Sequence, residues 1–225
     1  SNGKWAKPFP ITPPGAAGPG SGLAALSRNQ DLVEVFYIGG DGAVALTFSL
    51  KSQNGGKWAT PFPISPPNAA RKGSALAAVA KTEADGQAFW IGPNGGIGSS
   101  HSNFGQNGGK WATPYPIGAG GVTRADSGLT AVSSIDGQME IGFVSPEGAF
   151  LTYVNLGAAW LGAQTVMPAG SVKVGAPIAM ASRLPGFMDA FTVGADGAVL
   201  TTFRAGEGRP WSGLLRLSGP GEAIP

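Results

Sequence analysis

The sequence predicts an all-β chain: a β-propeller of four-stranded antiparallel blades of about 50 residues each. Three observations predict it. A tryptophan recurs at a near-constant interval, a glycine turn recurs in step with it, and each interval grades from small to apolar to proline-bearing segments.

Tryptophan marks the period. Asn54-Gly-Gly-Lys-Trp-Ala-Thr-Pro-Phe-Pro-Ile64 matches Asn107-Gly-Gly-Lys-Trp-Ala-Thr-Pro-Tyr-Pro-Ile117 except at Phe62 and Tyr115. A third copy opens the chain at Gly3-Lys-Trp-Ala-Lys-Pro-Phe-Pro-Ile11. With the divergent copies, Trp5, Trp58, Trp111, Trp160 and Trp211 stand 53, 53, 49 and 51 residues apart. The turns Asp41-Gly42, Asn94-Gly95, Glu147-Gly148 and Asp196-Gly197 keep step, 53, 53 and 49 apart. Such pairs between apolar runs are hairpin signals, because the turn needs a positive φ that glycine adopts freely.

Strands flank each turn. Segments 32–38, 87–91, 139–144 and 187–193 precede it, rich in Val, Phe and Ile, and 44–50, 97–104, 150–156 and 199–203 follow. In 32–38 apolar residues do not alternate with polar ones, which predicts a strand covered on both faces. Upstream, 23–26, 76–79, 129–132 and 178–181 are short and rich in alanine, as suits strands crowded around a central axis. The tryptophan segment supplies a fourth strand, and Pro8, Pro10, Pro61, Pro63, Pro114 and Pro116 place it at the outer edge, since proline cannot donate to a ladder. No window of eleven or more residues keeps a helical period.

One propeller domain, or a propeller fragment, is therefore expected over 1–225, with repeats near 12–64, 65–117, 118–166 and 167–218. Residues 3–11 are left as an extra outer strand. An unpaired edge strand points to a homo-oligomer or to association with further blades of a longer parent.

Composition bounds the chemistry. The 38 glycines and 19 prolines would suggest disorder without a period, but 42% of residues are hydrophobic and the glycines recur at fixed places. Charged residues are 12% and the net charge is +2, with no run of cations, so nucleic-acid and anionic-membrane binding are not expected. Cysteine is absent, which excludes disulfides and thiolate metal sites and fits a secreted bacterial protein. No apolar stretch approaches a membrane span, and Ser1-Asn2-Gly3 leads directly into a repeat, as in a processed product.

Catalytic signals are thin. His101 is the single histidine, and in Ser99-Ser100-His101-Ser102-Asn103 it reads as a surface or satisfied strand residue rather than part of a triad. No His, Cys and carboxylate cluster suggests a metal, and the turn residues Asp41, Asn94, Glu147 and Asp196 are explained by their turns. Glycoside hydrolysis needs two facing carboxylates, whereas half of the 13 acids sit in turns. The tryptophans pack between blades or stack on sugars. Candidate binding residues are Trp5, Trp58 and Trp111, with Lys57, Lys110, Asn54 and Asn107 beside them as donors to hydroxyls, and Trp90, which departs from the period.

The elements Ser27-Arg28, Val35-Phe36 and Gly39-Gly40-Asp41-Gly42-Ala43-Val44, echoed at Ser182-Arg183, Ala190-Phe191 and 194–199, resemble the repeats of PLL-type seven-bladed bacterial propeller lectins. The resemblance spans nearly the whole chain. It implies binding of fucose and related sugars in pockets between adjacent blades, without a metal or cofactor. WD repeats would need a Trp-Asp per blade, kelch repeats a Gly-Gly doublet in each, and sialidases an Asp-box; none is present as a set. Near-identical blades also suit binding, because several weak sites on a rigid ring give avidity. The expectation is a secreted, multivalent, non-enzymatic lectin whose partners are glycans, fucosylated ones included. The alternatives are a protein-interaction scaffold or accessory domain of a larger secreted enzyme, and then a glycoside hydrolase.

Overall fold

The computed structural model describes residues 7–124, 126–157 and 159–223, without the side chains of Asn54 and Asn107. Four antiparallel sheets of four strands follow one another along the chain, each a meander in strand order. The first holds β1 (Leu23–Ser27), β2 (Leu32–Ile38), β3 (Val44–Leu50) and β4 (Phe62–Pro63); the second β5 (Leu76–Ala80), β6 (Asp85–Ile91), β7 (Ile97–Asn103) and β8 (Tyr115–Ile117). The third holds β9 (Leu129–Val132), β10 (Met139–Val144), β11 (Phe150–Asn155) and β12 (Gln164–Met167); the fourth β13 (Ile178–Leu184), β14 (Phe187–Val193), β15 (Val199–Ala205) and β16 (Leu215–Arg216). These are the blades of a propeller.

The predicted turns join the second and third strands of each blade. Gly42, Gly95, Gly148 and Gly197 have φ of 80°, 72°, 74° and 78°. Asp41, Asn94 and Asp196 accept the backbone N–H two residues on, as Asx turns do. The loop after each outer strand returns to clamp its own turn: the N–H groups of Ala70, Thr123, Val172 and Ala223 donate to the carbonyls of Gly42, Gly95, Gly148 and Gly197.

The innermost strands β1, β5, β9 and β13 lie side by side in chain order, and among the described residues no comparable contact joins β13 back to β1. The four blades form an open arc with three wedges between them. Each wedge has its own core: Phe36, Ile38, Leu46 and Trp90 in the first, Phe89, Ile91, Ile141 and Phe143 in the second, Phe150, Met167, Met180 and Met188 in the third. The double-sided burial expected of residues 32–38 is not met in β2, where Val33 is exposed and Val35 half-buried because no described blade lies on that side; it is complete in β10 and nearly so in β6, which have a blade on each side.

Two sequence expectations are corrected. The outer strand does not run through the tryptophan. Trp58, Trp111 and Trp160 make only isolated bridges to the third strands, and the ladder resumes at Phe62 and Tyr115. The prolines explain the gap, since Pro61 and Pro114 have no N–H to extend the pairing. Single helical turns, α1 (Lys51–Asn54) and α2 (Phe104–Asn107), also precede two of the tryptophan segments and are too short to leave a period in the sequence. Residues 7–11, expected in an extra strand, carry none, and Trp5 lies outside the described residues. No helix among the described residues is long and apolar enough to cross a membrane.

Candidate functional site

Blade registers bring the same places into each wedge. The inner strand ends on Arg28, Lys81, Ser134 or Arg183, and the third residue of the second strand's common pattern is Glu34, Gln87, Glu140 or Asp189. The following blade adds a tryptophan from its outer segment. What differs is how these groups satisfy one another.

The first wedge is closed by an ion pair. Arg28 donates from Nε and Nη2 to Glu34 at 2.7 and 3.0 Å, and from Nη1 to the Ser102 carbonyl at 3.1 Å across the wedge. Its guanidinium lies 5.5 Å from the Trp111 ring centre and 5.1 Å from that of Phe104, a desolvated cation between aromatic faces. Trp111 also stands edge-on to Phe36. Burial pushes the Glu34 carboxyl above the ordinary glutamate value, against the pull of Arg28.

The second wedge is open. There Lys81 and Gln87 replace the arginine and the glutamate, and a cleft of about 360 Å³ remains. Trp160 forms one wall, held edge-on to Phe89 with ring centres 5.8 Å apart. His101 and Tyr115 form another, their rings 5.9 Å apart, where the first blade has Phe48 and Phe62. Gln87 is fixed by donating from Nε2 to Ser99 Oγ and Tyr115 Oη, both at 2.7 Å. Asp85 accepts from Asn103, and Lys81 reaches across to the Gly157 carbonyl at 3.3 Å. The histidine is thus neither on the open surface nor satisfied: its Nδ1 is buried with no hydrogen-bond partner among the described residues. Among the described residues Asp85 is the one carboxylate lining the cleft, so they do not assemble the facing pair of a glycosidase there. Among the described residues no group of three or more His, Cys, Asp or Glu is placed to hold a metal.

In the third wedge Ser134 leaves the inner slot without a cation, and the arginine comes instead from the third strand of the next blade. Arg204 Nη2 donates to Glu140 Oε1 and its guanidinium lies 5.3 Å from the Trp211 ring centre. Arg204 Nε, Glu140 Oε2 and Trp211 Nε1 are buried without a partner among the described residues, two donors and an acceptor in one wedge. Burial raises the Glu140 carboxyl, opposed by Arg204.

The residues singled out in the sequence are scattered over this frame. Trp111 belongs to the first wedge. Lys110 is exposed beside it, on a shallow groove that also includes Pro63 and Pro114. Trp58, half-buried, lies on the outward face of the first blade next to exposed Lys57. Asn54 and Asn107 fall in the helical turns, their side chains outside the described residues. Trp90 is a core residue, 2% exposed, and its Nε1–H donates to the Ala69 carbonyl at 3.0 Å. Missed were the cation slot, the acid slot and the His101–Tyr115 pair, and Trp160 and Trp211, expected like the other periodic tryptophans to pack between blades or stack on sugars, were not among the candidate binding residues. The recurrence of Arg28 and Lys81, and of Glu34 and Gln87, at the 53-residue step was the available signal.

No protein-family model matches the sequence, and no curated protein matches it significantly. Solved structures do. The chain is similar to the BP39L lectin from Burkholderia pseudomallei, with a TM-score of 0.85 and 23% identity over 97% of this chain and 61% of that one. It is similar to the Aleuria aurantia lectin, a six-bladed β-propeller with fucose recognition, with a TM-score of 0.68 and 17% identity over 93% of this chain and 66% of that one. AofleA from Arthrobotrys oligospora gives 0.68 and 16% over 85% and 55%. The chain therefore spans between about one half and two thirds of the length of these proteins. At such identities the likeness establishes the β-propeller fold.

Proposed function

We propose that the chain is a carbohydrate-binding, lectin-like propeller that seats a single sugar unit in the cleft between its second and third blades. The observation that carries this reading is the cleft itself. Its volume of about 360 Å³ lies at the small end of ligand pockets, about 300–1,000 Å³. It sets an indole face beside convergent amide, carboxylate, ammonium and imidazole groups, all from rigid strands or the turns that follow them. A sugar ring asks for that pairing, because one face presents C–H groups to an aromatic and the rim presents hydroxyls to donors and acceptors. The unsatisfied donors and acceptor around Arg204, Glu140 and Trp211 mark a second place where hydroxyls would complete hydrogen bonds.

The fucosylated class of ligand is part of this proposal, supported by the likeness to a propeller with fucose recognition and by the PLL-type repeat pattern. Multivalency in this reading rests on the second and third wedges, since Arg28 and Glu34 close the first, and an extracellular location belongs to the same reading, since glycans are displayed there. Calorimetric titration with monosaccharides, after a glycan array has chosen them, tests it. Trp160→Ala and Gln87→Ala are each expected to weaken binding about tenfold, about 1.4 kcal/mol. Failure of the unmodified chain to bind any sugar, fucose included, refutes it.

A further inference from the structure

We propose, on the sugar-binding reading above, that the cleft between the second and third blades takes an acidic sugar, one whose carboxylate pairs with Lys81. The charge pattern of the blades carries this. The acid slot holds a carboxylate in three blades, and each is paired with an arginine: Glu34 with Arg28 at 2.7 Å, Asp189 with Arg183 at 2.7 Å, and Glu140 with Arg204. The second blade has an amide there instead, Gln87. Lys81, in the matching cation slot, has thereby lost its counter-charge, and among the described residues it makes no ion pair. Its ammonium donates to the neutral Gly157 carbonyl at 3.3 Å. A half-buried ammonium without an anion is a costly arrangement, and a bound carboxylate relieves it through a charge-assisted hydrogen bond.

The nearby acids do not take the missing place. Asp85 lines the cleft, but it accepts from Asn103 Nδ2 and, at 3.5 Å, from Thr82 Oγ1. Glu83 and Asp136, on the loops beside Lys81, are exposed and do not line the cleft. The amide, for its part, is built in. Gln87 Nε2 donates to Ser99 Oγ and Tyr115 Oη, and Tyr115 is the single residue by which segment 107–117 differs from 54–64. The one oxygen that separates these two segments thus accepts from the one amide among the acid slots.

Met139 explains why the cation is a lysine and why the space stays open. In the first wedge Arg28 lies against Gly86, where a Cβ would stand 2.5 Å from its Nε. Met139 occupies that place in the second wedge and lines the cleft. A guanidinium laid down as in the first wedge would meet its side chain, whereas the slimmer ammonium arm reaches across to the third blade. His101, in the place of Phe48, adds an imidazole whose Nδ1 has no partner among the described residues. The cleft therefore offers an anion a cation and polar donors, and offers the sugar ring the Trp160 indole. The third wedge, where Arg204 already has its carboxylate in Glu140, keeps the neutral units, fucose included.

Calorimetric titration of the whole chain compares the methyl glycosides of glucuronic, galacturonic and N-acetylneuraminic acids with their carboxamides, which keep the ring and its hydroxyls but lose the charge. At least one acid is expected to bind about tenfold more tightly than its carboxamide, and the difference should shrink as salt is raised. Lys81→Gln, at a half-buried position, should remove the preference with the circular dichroism unchanged. Gln87→Glu, which restores the carboxylate of the other blades, should remove it too, because the protein then supplies the counter-charge itself. Each variant is read as the ratio of acid to carboxamide affinity, which a general weakening of sugar binding does not move. Sugars bound by the unmodified chain with no preference for any acid, or a preference that survives Lys81→Gln, overturn the acidic assignment and leave the sugar-binding reading standing. Failure to bind any sugar, neutral or acidic, overturns that reading as well.

Discussion

Arg28 crosses from the first blade into the second because residue 86 has no side chain. Gly86 adopts no positive φ, so its requirement is space rather than backbone freedom. A methyl there meets Nε, Cζ and Nη2 at 2.5–2.6 Å. That guanidinium is tied down by Glu34, Ala84 and Ser102. Gly86→Ala should therefore cost about 1–3 kcal/mol, as overpacking does, with Gly162→Ala, which faces open space, near neutral; urea unfolding of the two variants measures the difference. Single-residue identities also separate the wedges. Arginine with glutamate closes one, lysine with glutamine leaves one open, and serine at the inner slot brings an arginine from the opposite blade. The tryptophans were legible because they are few and evenly spaced. The cation and acid slots were not, because a period locates a residue along its blade without saying which neighbour its side chain meets.

At the scale of the element, the hairpin and the loop that clamps it form one unit repeated four times. Gly95 combines both demands: φ is 72°, and a Cβ would stand 2.6 Å from the Thr123 carbonyl oxygen. Its own carbonyl accepts from Thr123 N at 2.9 Å. Gly95→Ala is expected to destabilise by about 2 kcal/mol or more, since left-handed strain and a backbone clash add. Thermal or urea unfolding checks the size of the loss. The turns were plain in the sequence because Asp-Gly and Asn-Gly are local signals. The broken outer strand was less so, because tryptophan and proline pull a strand assignment in opposite directions and only pairing to the third strand decides.

The whole molecule carries its buried charge in the wedges, and this sets its response to pH. Burial raises the Glu34 and Glu140 carboxyls above the ordinary 4.5. Each therefore contributes stability that is fully present below the unfolded value and is lost as pH rises through the raised one. Asp126 and Asp196, lowered by Arg124 and Arg216, act in the opposite sense below 3.8. The melting temperature should fall as pH rises from 4.5 toward neutrality. Glu34→Gln with Glu140→Gln should flatten that slope while lowering stability throughout, because Arg28 and Arg204 lose their counter-charge. Calorimetry across this range measures both, and an unchanged slope in the double variant contradicts the assignment.

Sequence alone determined the blade: its period, its hairpin, its inner strand of small residues and its proline-limited edge all follow from local conformational preference and from repetition. Only the tertiary structure decided what lies between blades. Whether Arg28 is buried or Arg183 exposed, whether His101 faces water or a cleft, and whether Trp90 packs or binds depends on a neighbouring sheet that is supplied about 50 residues away. Side chains in a wedge are chosen as pairs across two blades, and such pairs leave no local pattern.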